Sequence, residues 1–223
     1  MGPKRSGSAF HMDPNATHAW NANIVGKKRW IFYPPGVTPP GVFPSKDGDS
    51  VVMPISIGEW LLNYYNQQHV LHQTAFECTV EPGDVVFVPH GWWHAVFNLS
   101  EVNVAITHNY VSQSNLPTVL RFLEHKQDQI SGCRDRKESI KPEFLLEAFE
   151  RGLKKHGMGQ LLKEAQQVAL RGWPCRAWTD DVDEKPSSKN KKRKRRLETS
   201  DTSIMAKAKQ SLPTDKAFRF SFL

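Results

Sequence analysis

The chain has 223 residues, 39% of them hydrophobic, with 7 Trp, 12 Phe and 4 Tyr, which is enough for one packed domain with appendages. No apolar run approaches the ~20 residues of a membrane helix, the mean hydropathy is −0.54, and the N-terminal MGPKRSGSAF lacks a signal peptide's apolar stretch. A soluble, non-secreted protein without a membrane partner is expected. The formal charge of +7 is uneven: 12 of the 30 Lys/Arg and 7 of the 23 Asp/Glu lie in residues 179–223, leaving 18 against 16 in the rest. The nearly neutral body gives no mandate for a nucleic-acid substrate.

In chain order, HAWNANIV, KRWIFY, AFECTV, DVVFVP, HAVFNL and VNVAITHNY are short, rich in Val, Ile, Phe and Thr, and bounded by Pro, Gly, Asn and Ser, as strands are. A hairpin is expected around Gly26, and Glu81-Pro82-Gly83-Asp84 is the strongest turn. Between them lie a Pro/Gly-rich loop, residues 34–50, and a short helix, IGEWLLNYYNQQ, with Ile57, Trp60, Leu61 and Tyr64 on one face. The fold class is mainly β, a sandwich or barrel over residues 1–112.

From Ser114 the period changes. Leu116, Leu120 and Leu123, then Phe144, Leu145, Ala148, Phe149 and Leu153, then Leu161 to Leu170, recur at helical spacing, so residues 113–178 form a helical region. Pro142 suits a first turn, and Gly152 and Gly157 weaken that helix's end. Residues 179–223 lose the apolar pattern and are expected to be a disordered basic tail.

Cys78, Cys133 and Cys175 are odd in number and widely spaced, which favours neither a disulfide framework nor a zinc knuckle and fits a reducing compartment. Asn15-Ala16-Thr17 and Asn98-Leu99-Ser100 match the glycosylation triplet, a signal without weight in a chain with no secretory signal.

His11 and Asp13 are one residue apart, so on a strand both side chains share a face and can share a metal. His94 follows GDVVFVPHGWW, at the re-entry of a strand that a jelly roll brings beside a distant one, and can supply a third ligand. Two histidines and a carboxylate, with positions left open, describe the facial triad of non-haem Fe(II) oxygenases. Against this, H-x-D arises by chance, Asp13 can cap a turn at Pro14, and His94 can be a satisfied core histidine. His18, His69, His72, His90 and His108 are further candidates, although Pro89 and Gly91 argue against a helical His90/His94 zinc pair.

Taken together, HMDPNATHAWNANIVGKKRW, GDVVFVPHGWWHAVFNL and VAITHNY resemble the catalytic half of a JmjC-domain oxygenase, most nearly the arginine demethylase/lysyl hydroxylase branch once called phosphatidylserine receptor-like. The resemblance covers roughly residues 5–125 and implies a double-stranded β-helix of jelly-roll, cupin-like type. It implies Fe(II) held by His11, Asp13 and His94, 2-oxoglutarate as co-substrate paired through Lys28, and dioxygen as oxidant. Asn21 and Thr107 match co-substrate positions, with Asn109 on the face of Thr107. Alternation adds to the Lys28 reading: if Trp30 and Ile24 face a core, Lys28 shares the face of Trp30 while Lys27 and Arg29 point outward. Trp20, Trp92 and Trp93 are expected to wall the site.

The implied activity is hydroxylation of a protein side chain, lysyl hydroxylase-like, on a nuclear or chromatin-associated substrate. Histone or arginine N-methyl demethylation is the alternative, since it follows from the same oxidation at an N-methyl carbon. The family has strands and a helical region before its H-x-D, whereas His11 stands almost first here, so an incomplete, N-terminally truncated jelly roll is expected. A catalytically inactive binding module, or a cupin holding another metal, are the competing readings. The helices cover the barrel or form a homodimer. The run KKRKRR, Lys191–Arg196, reads as a nuclear localisation signal, with some cytoplasmic protein, and secondarily as a weak nucleic-acid contact.

Overall fold

A computed structural model describes residues 1–46, 48, 50–66, 75–131 and 140–171, all within one compact unit. Strands form at β1 (Gly2–Pro3), β2 (Gly7–His11), β3 (His18–Val25), β4 (Lys28–Tyr33), β5 (Phe43–Pro44), β6 (Val51–Val52), β7 (Phe76–Val80), β8 (Val85–Val88), β9 (Trp93–Asn98) and β10 (Val102–Tyr110). Pairing therefore starts well ahead of His11, with β1 on β10 and β2 on β9. Two antiparallel four-stranded sheets result, in the orders β1-β10-β3-β8 and β2-β9-β4-β7, beside a small β5-β6 pair.

The hairpin expected around Gly26 does not form. β3 pairs with β10 and β8, while β4 pairs with β7 and β9, so the turn carries the chain from one sheet to the other. The Glu81–Asp84 turn and the β8–β9 connection do the same. Turn chemistry fixes a reversal of direction but not a strand's partner. At Gly26, φ is +83°, and a Cβ would meet Val102 O and Asn103 Oδ1 at 2.4 Å, so only glycine fits.

β4 and β9 are buried on both faces. Between the sheets, Trp30, Phe32, Val80 and Val96 pack against Ala19 and Val88 of the other sheet. On the outer face, Ile31, Tyr33, Trp93 and Ala95 pack with Phe10, Val42 and Trp60. Trp60 belongs to α1 (Ile57–Asn63), where Ser56 Oγ caps the Glu59 N–H at 3.1 Å. Ile24 does not face a core as expected; it is exposed next to a register slip where β3 carries one extra residue against β10.

The helical region holds α2 (Leu116–His125), α3 (Pro142–Lys155) and α4 (Gly159–Leu170). Leu116, Leu120 and Leu123 are buried as expected. Phe144 is exposed instead, and Leu145, Leu146 and Phe149 supply the packed stripe. α3 runs through Gly152 and stops before Gly157, which takes φ +78°. No helix among the described residues is long and apolar enough to cross a membrane. Cys133, Cys175, His69, His72, the 179–223 tail and its Lys191–Arg196 run lie outside the described residues.

Candidate metal centre

One ligand atom from each of His11, Asp13 and His94 lies within 4.8 Å of the others. A bulge makes this possible. Gly7 stands opposite Phe97 and Ser8 opposite Val96, after which the register slips by one so that His11 faces His94. In unbroken register Phe10 would face His94. The slip sends Phe10 into the outer core and turns His11 inward, bringing the two rings to 4.1 Å between centroids. β2 ends at His11, so Asp13 is not on a strand. Its backbone is nonetheless extended (φ −62°, ψ 142°), and the two-residue period still returns its carboxylate to the side of His11.

Both histidines are held in one tautomer. His11 Nδ1 lies 2.8 Å from Ala9 O and His94 Nδ1 lies 3.1 Å from Trp92 O. A carbonyl only accepts, so each Nδ1 donates and each Nε2 keeps its lone pair for a metal. Burial, reinforced by the neighbouring His11, lowers the His94 pKa from 6.5 to about 4, so its ring is neutral at physiological pH. Asp13 stands at the cap position of a 3-10 turn but makes no capping bond, and its Oδ2 is buried without a partner. An orphaned carboxylate beside two imidazole rings whose Nδ1 atoms are engaged by carbonyls fits a divalent cation. Among the described residues no fourth His, Cys, Asp or Glu joins the three, as a closed structural zinc site would need.

Lys28, Trp30 and Phe32 alternate onto the inner face of β4, and His94, Val96 and Asn98 onto that of β9. Lys28 is half-buried and donates to Asn98 Oδ1 at 2.6 Å, while Asn98 Nδ2 donates to Ser6 Oγ at 2.9 Å. Burial lowers the Lys28 pKa, and no carboxylate pairs with it among the described residues. Lys27 points outward to Glu81 as expected. Arg29 does not stand free in solvent: it is half-buried, bonded to Glu77 of β7 and to Tyr65.

Asn21 stands opposite Thr107 on β10, and its Oδ1 is buried without a partner. Asn109 shares that face. The Thr107 hydroxyl donates to Trp20 O at 2.8 Å, and Asn109 Nδ2 donates to Thr17 Oγ1 at 3.0 Å.

The tryptophans are redistributed. Trp93 belongs to the outer core, and Trp20 stacks on His108 on the outer side of its sheet, so neither walls the site. The rings beside His94 are Trp30, stacked at 6.0 Å, and Phe32, at 6.2 Å; Trp92 flanks the same inner cluster. His18 and His90 form a separate pair: His18 Nδ1 accepts the His90 N–H at 3.0 Å, and its Nε2 lies 3.3 Å from Ser114 Oγ. Asn98 is the polar residue the sequence reading missed. Its place two alternations beyond His94 was the available signal.

Residues 1–116 match the family model described as a cupin-like domain. The chain is 49% identical over 146 residues to the arginine-specific demethylase JMJ22 of Arabidopsis thaliana, covering 65% of this chain and 29% of that protein. It is 38% identical over 123 residues to the bifunctional arginine demethylase and lysyl-hydroxylase psr-1 of Caenorhabditis elegans, covering 53% and 30%. With the mouse 2-oxoglutarate and iron-dependent oxygenase JMJD4 it shares 35% identity over 130 residues, covering 56% and 28%. The chain thus spans less than a third of the length of each of these relatives. The resemblance to JmjC-domain oxygenases is borne out by these relatives, and with over half its length matched, the chain belongs to the cupin-like domain family.

Proposed function

We propose that this chain forms the iron- and 2-oxoglutarate-binding core of a dioxygenase that hydroxylates a side chain of a protein substrate, as lysyl hydroxylases do. One observation carries the reading: His11, Asp13 and His94 converge on the inner face of the barrel, where Lys28 also points without a carboxylate partner among the described residues. Iron would be held through Nε2 of each histidine and an Asp13 oxygen, leaving positions for a bidentate co-substrate and dioxygen. When bound, it supplies an oxidation in which one oxygen atom of dioxygen goes into succinate, formed with carbon dioxide from 2-oxoglutarate, and the other into a substrate C–H bond.

The chain's own residues do the positioning. Asn98 aims the Lys28 ammonium at the carboxylate of 2-oxoglutarate remote from the metal. Asn21, with Thr107 and Asn109 on its face, would offer polar contacts to the same co-substrate, a role supported by their shared register. Trp30 and Phe32 fix the His94 ring and exclude water around it. The 49% identity to an arginine-specific demethylase supports a second reading, since an N-methyl carbon hydroxylated by the same centre leaves as formaldehyde. A nuclear site of action is also part of this proposal, resting on Lys191–Arg196.

Anaerobic titration of the purified chain tests the centre. 2-Oxoglutarate should bind only with Fe(II) present, and His11→Ala should abolish that dependence. Lys28→Met should weaken 2-oxoglutarate binding roughly 10- to 100-fold, the range of a lost charge-assisted bond, and leave Fe(II) binding in place. Binding indifferent to Fe(II) and to His11→Ala would remove the oxygenase reading and leave that of an inactive module. Mass spectrometry of a modified substrate then separates a gain of one oxygen from loss of a methyl group.

A further inference from the structure

The ladder that aligns His11 with His94 ends at His11 and does not reach Asp13. Past Asp13 the chain makes a tight turn in which Asn15 (φ 56°) and Ala16 (φ 55°) both take left-handed backbone. That conformation is unfavourable for residues with a Cβ and persists only where the surroundings impose it.

Here the surroundings are the helical region. Asn15 Nδ2 donates to Ser131 O at 3.1 Å, and the Ser131 N–H donates back to Asn15 Oδ1 at 3.0 Å. Asn115, buried at the start of α2, donates from Nδ2 to Ala16 O at 3.1 Å while its Oδ1 accepts the Ser112 N–H at 2.7 Å. The Ala16 methyl is buried against Val119, Phe122, Leu123 and Ile130. Three residues of the turn, Asn15, Ala16 and Thr17, thus have partners outside the β2–β9 ladder, Thr17 Oγ1 accepting from Asn109 while it donates to Pro14 O.

We infer that Asn15 and Asn115 are positioning residues for Asp13: the helical region clamps the turn and holds the carboxylate toward His11 and His94 before a metal arrives. This rests on the metal-centre reading above. The helices thereby acquire a part in the site beyond covering the barrel. A ligand on a short unladdered turn otherwise loses its preorganisation, and supporting contacts of this kind typically govern affinity 10- to 100-fold.

Cobalt(II) titration of the full chain, with its visible absorption as the coordination signature, tests the clamp. Asn15→Gly leaves left-handed backbone accessible and removes only the paired bonds to Ser131. It should weaken Co(II) binding about tenfold, change the intensity of the absorption, and speed amide exchange at residues 15–17 of the metal-free protein. Asn15→Asp keeps the acceptor for the Ser131 N–H and should recover part of the affinity; it also carries the test if Asn15→Gly does not fold. Wild-type affinity, spectrum and exchange in Asn15→Gly would overturn the inference. If the unaltered chain binds no Co(II), the metal-centre reading falls, and exchange at 15–17 alone decides the clamp: faster in Asn15→Gly upholds it, unchanged overturns it.

Discussion

Replacing Gly7 by alanine should damage the metal centre without touching a ligand. A Cβ at Gly7 would lie 1.9 Å from Val96 O and 2.8 Å from Phe97 Cα, both backbone atoms of the strand that carries His94. A methyl carbon needs a little over 3 Å from a carbonyl oxygen, so β2 must withdraw from β9 by roughly 1 Å. Donors bound at about 2.0–2.2 Å sit at most about 4.4 Å apart across one ion, and the three here already span up to 4.8 Å. A further retreat of β2 takes His11 away from His94 and spoils the chelate. Backbone overpacking of this kind costs about 1–3 kcal/mol, which for a chain of this size lowers the melting temperature by roughly 3–10 °C. The assay pairs thermal melting of the metal-free protein with Co(II) titration, using exposed Ser8→Ala as the neighbouring control. Wild-type melting and wild-type Co(II) affinity in Gly7→Ala would refute the close-approach argument.

Two other outcomes are expected. His18, His90 and His94 all have pKa values lowered by burial, so the unfolded chain takes up protons that the fold resists. Stability is therefore full above about pH 6.5 and declines as pH falls toward the folded values; for His94 the loss reaches about 2 kcal/mol by pH 5. Metal-free melting curves that superimpose at pH 7.5 and pH 5 would contradict this. Deleting Lys191–Arg196 should move a tagged chain out of the nucleus, as fluorescence microscopy would read, and unchanged nuclear accumulation would count against the signal.

Strand existence was legible because turn residues punctuate the β-branched runs, and the His11–Asp13 pair because H-x-D needs only an extended backbone, while His94 was reached through the family resemblance. Strand partners were not. KRWIFY and WHAVFN are apolar on both faces because β4 and β9 are covered on both sides, so alternation there does not say which face is inner. The assignment of Trp93 to the site's wall failed for that reason, whereas Trp20 on β3 alternates away from the face of Asn21 and stacks on His108. The slip between Ser8 and His11 has no residue signature, since nothing in GSAFH marks an extra residue. Lys28 was placed correctly beside Trp30 even though its supporting premise, Ile24 in a core, was not met. Asn15, Asn115 and Ser131 are unremarkable as polar loop residues in one dimension; only the fold puts them on one turn.

Because successive strands cross between sheets, the site as a whole is not local in the chain, although His11 and Asp13 are neighbours. Lys28 and its partner Asn98 are 70 residues apart, and β9, which bears both Asn98 and His94, lies between β2 and β4. No fragment can assemble the pocket early, so closure of long loops must precede any reward, a recipe for slow folding. The same arrangement means that stripping β9 from its neighbours dismantles the whole barrel. A bound ion at 100 times its dissociation constant would then add about 2.7 kcal/mol to global stability, not to one loop. Cellular metal supply would therefore set the lifetime of the folded chain as well as its occupancy, and scarcity would register as lost protein.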